Sequence, residues 1–381
     1  MSKSKKQVYS NSCLTPIYQN LAYFFENTDQ VIQYHKGQGY FGRYGRYDNP
    51  NWLEFEAKMA ALDNYESALV FSSGMNAVTT TVCALLEQND TLIYTGKCYR
   101  KIRSLFSQIL PKWGIQTISI DPTDNSFSSI QSLKKARMVF VEMPSNPHLY
   151  LVDLEKVRNE MHPDALLVVD STLSSPFNCQ PQKWGADLVI HSCSKYIGGH
   201  GDVLAGSVAG SQYLIEQIRN YRDVMGGVVD AHAASLLNRS LATLELRMQH
   251  FNKEGMKLAQ YLQAQSQVKQ VFYTGLETHP HYHLAKEYLT GHGGLISFEL
   301  DMNEQETSQF VDALKIPFMG TNFGSSQSMV EQCSVFTYFN LSPQERQKIG
   351  ISDSLIRLSI GYEGSDLLIK DINQALNSVS I

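Results

Sequence analysis

Short apolar runs punctuate the chain at 67–71, 91–94, 117–120, 138–142, 166–170, 188–191 and 204–209, and each predicts a strand. Most of them show no polar alternation, as expected of strands covered on both faces. Between them apolar residues fall at helical spacing, and strands alternating with helices imply an α/β domain built on a mostly parallel central sheet. The pattern then changes. Over 228–265 it reads as one long helical stretch, which is predicted to link the first domain to a second. Strands at 268–273, 295–300 and 355–360, with helices such as 366–377, predict a smaller α+β unit. The division is therefore an N-terminal arm over 1–51, a large α/β domain over 52–228, and a linking helix with a C-terminal α+β domain over 229–381. There is no internal repeat, heptad run or low-complexity tract.

Composition narrows the function classes. With 381 residues, 43% hydrophobic and 18% charged, the chain can bury one large core and a second, smaller one. A net charge of -5 without a long basic run argues against nucleic acid as the partner. No stretch approaches the roughly 20 apolar residues that span a bilayer, so no membrane partner is expected. The first residues are polar rather than secretory, and the expected location is the cytoplasm. The 6 cysteines show no Cys-x-x-Cys spacing, which predicts reduced thiols and no metal site.

Three features carry chemistry. Lys195 lies between small hydroxyl residues and a glycine-rich turn, just past the apolar run that ends at His191. Burial at a strand end disfavours the ammonium form, and a neutral amine is what condenses with an aldehyde. Asp170 closes another apolar run, at the sheet edge where ligands of open α/β sheets sit. A carboxylate there can hold a proton on a pyridine nitrogen. Ser73, Gly74 and Met75 form a tight turn between a strand and a helix, where free amides can cradle a phosphate. Cradle, proton-holding acid and strand-end lysine, in that order, describe a pyridoxal 5′-phosphate site. A nucleotide-binding oxidoreductase is disfavoured, because no Gly-x-Gly-x-x-Gly follows the first strand.

These residues resemble the Cys/Met-metabolism pyridoxal-phosphate enzymes, the cystathionine γ-synthase-like group that includes the methionine γ-lyases and cystathionine lyases. The resemblance runs from about Tyr44 to the C-terminus. It implies the aspartate aminotransferase-like fold, fold type I, and a homotetramer made as a dimer of dimers with shared active sites. It makes Lys195 the residue bonded to the cofactor, with Ser192 and Ser194 binding phosphate beside it. Asp170 becomes the pyridinium partner, with Thr172 beneath the ring. Ser73, Gly74 and Met75 match the phosphate turn, and Tyr99 the tyrosine stacked on the ring and active in proton transfer. Glu142-Met143-Pro144-Ser145-Asn146-Pro147 matches the family's acid-x-Pro-Ser-Asn-Pro loop, whose asparagine meets the cofactor O3′. Tyr44 and Arg46 match a pair that crosses to a neighbouring subunit's phosphate, and Arg357 matches the arginine that grips the substrate carboxylate.

The chain also departs from that pattern. Arg100, Lys101 and Ile102 follow Tyr99 where the family has small residues. If Arg100 or Lys101 turns inward, the pocket favours an anionic group; if both face solvent, it does not. Thr321 stands where cystathionine-handling members have a glutamate for the distal amine, and Asn322 replaces a serine that faces substrate and lysine. The expected activity is elimination at Cβ or Cγ of a sulfur-containing amino acid, a carbon-sulfur lyase like methionine γ-lyase. The alternative is γ-replacement on an activated homoserine ester. An aminotransferase and a non-catalytic protein of the same fold are further readings.

Overall fold

The computed structural model describes residues 12–39, 42–121 and 131–379. The apolar runs form a seven-stranded sheet from β1 (Ser67–Phe71), β2 (Thr91–Thr95), β3 (Gln116–Ile120), β4 (Met138–Glu142), β5 (Leu166–Asp170), β6 (Leu188–His191) and β7 (Gly206–Gly210). Their order across the sheet is β1-β7-β6-β5-β4-β2-β3. β7 runs antiparallel to both its neighbours and the remaining pairs are parallel, so β1 to β6 all end at one edge. The predicted mostly parallel sheet is what forms. β4, β5 and β6 are buried along their whole length, which is why they carry no polar alternation.

Both faces of this sheet are covered. One apolar layer joins Leu69, Phe140, Val168 and Ile190 to Val78 and Val82 of the Gly74–Leu85 helix and to Ile215 and Ile218 of the Gln212–Met225 helix. The opposite layer joins Val139, Val141, Leu167 and Val189 to Leu154 and Val157. Because the side chains of a strand alternate, Glu142 and Asp170, at the ends of β4 and β5, point to the same face as Phe140 and Val168.

The stretch over 228–265 is not one helix. It forms two, Ala231–Leu241 and Leu244–Gln263. The break has a local cause: the Ser240 carbonyl accepts from Thr243 N at 3.2 Å and from Arg247 Nη2 at 2.8 Å, and so is withdrawn from the α-helical ladder.

The C-terminal unit carries a second sheet of β8 (Val268–Phe272), β9 (Leu295–Leu300), β10 (Phe318–Met319), β11 (Met329–Gln332) and β12 (Leu355–Ser359), in the order β10-β11-β12-β9-β8. β10 and β11 have no apolar run to announce them. β10 is two exposed residues, and β11 buries Glu331 and Gln332 in its second half. The last helix, Ser365–Ser378, lies where the spacing predicts it.

The arm is more ordered than a polar loop. It holds the short helix Thr28–His35 and a bridge between Ala22 and Tyr44. Asn51 ties it down, accepting from Tyr18 N at 2.9 Å and donating to Pro16 O at 3.0 Å. No helix among the described residues is long and apolar enough to cross a membrane.

Candidate active site

The common strand edge opens into a cavity of about 510 Å³, roofed by the C-terminal sheet and its loops. Ser73, Gly74, Met75, Tyr99, Arg100, Asn146, Asp170, Thr172, Ser192, Ser194, Lys195, Thr321 and Arg357, expected from the sequence to belong to one site, all line it. Topology brings them together. β1 delivers the Ser73 turn, β2 leads to Tyr99, and β4, β5 and β6 end at Glu142, Asp170 and the Lys195 turn.

At the cradle, Ser73 caps the Gly74–Leu85 helix, its Oγ accepting from Asn76 N at 3.0 Å. The amides of Gly74 and Met75 belong to the first helical turn, which has no intrahelical acceptors for them. Glycine at 74 is a requirement of close approach, since a Cβ there would stand 2.8 Å from the Cβ of Ser192. Two strands' turns thus meet to leave a concave, donor-rich surface suited to a phosphate.

Asp170 is oriented by its own loop. Its Oδ1 accepts from Thr172 N at 3.0 Å and from Thr172 Oγ1 at 2.5 Å, and Thr172 Oγ1 in turn accepts from Ser192 N at 2.8 Å. Burial raises the Asp170 pKa, and burial with the nearby Asp170 charge raises that of Glu142 well above the carboxylate range. Such an acid is most stable beside a cation or a hydrogen-bond donor.

Lys195 donates from Nζ to Asn322 Oδ1 at 2.7 Å and lies 4.8 Å from the Phe323 ring centroid. Burial, reinforced by the Arg357 charge, lowers its pKa to about 8. A substantial neutral fraction at physiological pH is therefore available for carbonyl chemistry. Asn322 acts here through the lysine; it is not among the residues that line the cavity wall.

Arg357 is anchored on three sides. Nε pairs with Glu331 Oε1 at 3.0 Å, Nη1 donates to Asn146 Oδ1 at 3.2 Å, and Nη2 donates to Thr321 O at 2.7 Å. With both Arg357 and Glu331 almost fully buried, the ion pair fixes the guanidinium's plane at the cavity wall. Sequence reading located the arginine and missed the acid, which hides in the short β11.

Arg100, half-buried, and Lys101, exposed, both contribute to the cavity lining. Tyr99, 46% exposed, sits at the mouth. Tyr44 and Arg46 are elsewhere: the Arg46 guanidinium donates to the Asp223 carbonyl and lies 4.8 Å from the Tyr47 ring centroid, and neither residue lines the cavity of its own chain. Among the described residues no cluster of His, Cys, Asp and Glu could hold a metal ion, and all six cysteines are free.

Cradle, ring-nitrogen acid and neutral amine fit pyridoxal 5′-phosphate in charge and in donor set. Comparison with known proteins agrees. Cystathionine gamma-synthase 1, chloroplastic, of Nicotiana tabacum is 41% identical over 374 residues, which are 98% of this chain and 69% of that protein. An L-methionine gamma-lyase of Fusobacterium nucleatum subsp. polymorphum is 33% identical, with 98% of this chain and 95% of that one aligned. The crystal structure of cystathionine gamma synthase from Xanthomonas oryzae pv. oryzae in complex with aminoacrylate and cysteine superposes with a TM-score of 0.89 at 31% identity, over 96% of this chain and 92% of that one. That likeness makes the fold type I, as expected. The sequence profile of the Cys/Met metabolism PLP-dependent enzymes matches residues 1–377, and the chain belongs to that family of pyridoxal-phosphate enzymes.

Proposed function

We propose that this enzyme eliminates a substituent from Cβ or Cγ of a sulfur-containing or homoserine-derived amino acid, with loss of a thiol as the primary reaction. The observation that carries this is the convergence of the Lys195 amine with the buried Asp170 carboxyl and Arg357 guanidinium on one cavity at the sheet edge. Pyridoxal phosphate, when bound, draws electron density from the substrate Cα. The residues do the rest. Arg357 grips the substrate carboxylate, and its three anchors hold the guanidinium so that the Cα–H bond has a fixed direction. Lys195 takes the Cα proton as general base, and for a γ-substituent moves a second proton from Cβ with Tyr99 as partner. Asp170 keeps the ring nitrogen protonated. Ser73, Gly74, Met75, Ser192 and Ser194 hold the phosphate.

A second reading, γ-replacement on an activated homoserine ester, draws on a particular feature. Arg100 and Lys101 line the cavity, and Arg100 with Arg103 also lines an adjoining cavity of about 320 Å³ that has no acid in its wall. That charge suits an anionic leaving group, and the Nicotiana tabacum relative is named a cystathionine gamma-synthase. Against cystathionine as a substrate stands Thr321, which offers its distal ammonium no counter-charge.

One experiment separates these readings. The holoenzyme is incubated with homoserine esters, methionine, homocysteine, cysteine and cystathionine, and the products are identified by mass spectrometry. Keto-acid with ammonia supports elimination, a new amino acid supports replacement, and an aminated cofactor indicates transamination. No product from any substrate refutes both readings.

Assembly belongs to the same proposal: a homotetramer, two dimers that share active sites. Tyr44 and Arg46 do not line their own cavity, and Leu21, Phe24, Leu204, Val224 and Met225 are exposed apolar side chains of the size that interfaces cover. A reducing location, the cytoplasm, accords with the six free cysteines.

A further inference from the structure

Glu142 is a buried acid that no step above employs. It is 5% exposed, ends β4, and stands in register with Asp170 on β5, so two carboxyls face each other across neighbouring strands. Burial and a like charge both oppose its ionisation, and an acid in such a place is costly unless its oxygens are well used. Here both are. Oε2 accepts from Tyr99 N at 2.6 Å, and Oε1 accepts from Asn146 N at 3.1 Å. Its own N–H donates to Thr95 Oγ1 at 3.2 Å, which fixes the start of the reach. Tyr99 follows β2 and Asn146 follows β4, so a single side chain pins the loops of two strands. Asn146 in turn accepts from Arg357 through Oδ1 at 3.2 Å. The connection runs without a gap from the cavity mouth to the arginine.

We infer that Glu142 is a positioning residue: its carboxylate sets the separation between Tyr99 and Asn146, the two walls between which the cofactor ring is held. The inference rests on the reading of this cavity as the cofactor site. Chemistry explains why an acid stands there rather than an amide. Two N–H donors need two acceptors, whereas glutamine has one carbonyl and would turn its NH2 against the other donor. Aspartate keeps both acceptors but falls one methylene short of them.

Glu142→Gln and Glu142→Asp test this. A hydrogen-bond acceptor lost at one wall should raise the Kd of the apoenzyme for pyridoxal phosphate roughly 10-fold or more, and raise KM more than it lowers kcat, because Arg357 loses register through Asn146. Circular dichroism should be unchanged. Wild-type Kd and KM in both variants would overturn the assignment, as would an equal loss in both variants confined to kcat. Should neither variant fold, amide hydrogen exchange on the unaltered enzyme decides. The Tyr99 N–H, although its side chain is exposed, should exchange at least 100-fold more slowly than an open loop amide, and free exchange would overturn the inference. Protection is measured with or without cofactor, so failure of the cofactor reading and failure of this one come apart.

Discussion

Lys195 is set by its surroundings more than by its neighbours in sequence. Its amine is held by Asn322, from a loop more than a hundred positions further on, and its charge is opposed by burial and by Arg357. Lys195→Ala removes the reactive amine and little core volume. Turnover should fall by at least 10⁴-fold while thermal unfolding shifts little, as read by steady-state assay and circular dichroism. The lowered pKa gives a pH dependence with a definite sign. The neutral amine increases as pH rises, so uptake of pyridoxal phosphate by the apoenzyme should accelerate through a midpoint near pH 8 and then level, by stopped-flow absorbance. A midpoint near 10.5, the ordinary lysine value, would show that the site does not desolvate the amine. Most candidate residues were legible because they follow a strand or a tight turn, and Arg357 because it interrupts an apolar strand run; their partners, Glu331 for Arg357 and Glu142 for Tyr99, were not. A hydrogen bond across the fold leaves no periodic mark in the chain.

At the scale of elements, the catalytic edge depends on the turns that follow the strands. The β1 turn and the start of the Gly74–Leu85 helix approach the β6 turn so closely that Gly74→Ala would place a methyl 2.8 Å from the Ser192 side chain. Overpacking of this kind costs about 1–3 kcal/mol. Here the strain falls on the cradle, so pyridoxal phosphate affinity should fall by at least 10-fold, with a smaller loss of melting temperature. Calorimetric titration of the apoenzyme beside a thermal melt checks both. The strands of the large sheet were readable because burial on both faces makes them continuously apolar. The split between the Ala231–Leu241 and Leu244–Gln263 helices was not, because it is made by Arg247 taking the Ser240 carbonyl, a contact from the next turn of chain. The same side chain also donates to the carbonyls of Tyr196 and Ile197, directly behind the lysine.

On the scale of the whole molecule, two expectations concern groups far from the reacting atoms. His148 and His279 lie between the two domains, each lowered to about 4 by burial, and His279 Nε2 contacts the His148 carbonyl at 3.1 Å. Unfolding restores an ordinary value near 6.5. The unfolded chain then binds protons that the folded one refuses, so stability is greatest above pH 6.5 and declines as pH falls toward 4. Melting temperature measured from pH 7 to 4 should fall, and His148→Phe should flatten part of that slope. The other expectation is assembly. Arg46→Ala should lower cofactor retention by at least 10-fold if the guanidinium serves a neighbour's site, measured by gel filtration with absorbance detection; full retention in an active monomer would contradict the shared-site proposal.

The sequence by itself determined the fold class and the kind of chemistry. Apolar runs, small-residue turns and strand-end polar residues are local signals, written within a few positions of the groups they place. Tertiary structure alone decided that Arg100 and Lys101 come to the cavity lining, that Arg357 is held by Glu331, Asn146 and the Thr321 carbonyl, and that Tyr44 and Arg46 lie outside the lining of their own cavity. Those outcomes depend on which loops meet at the sheet edge. Contacts between residues distant in the chain are fixed by strand order and packing, not by spacing.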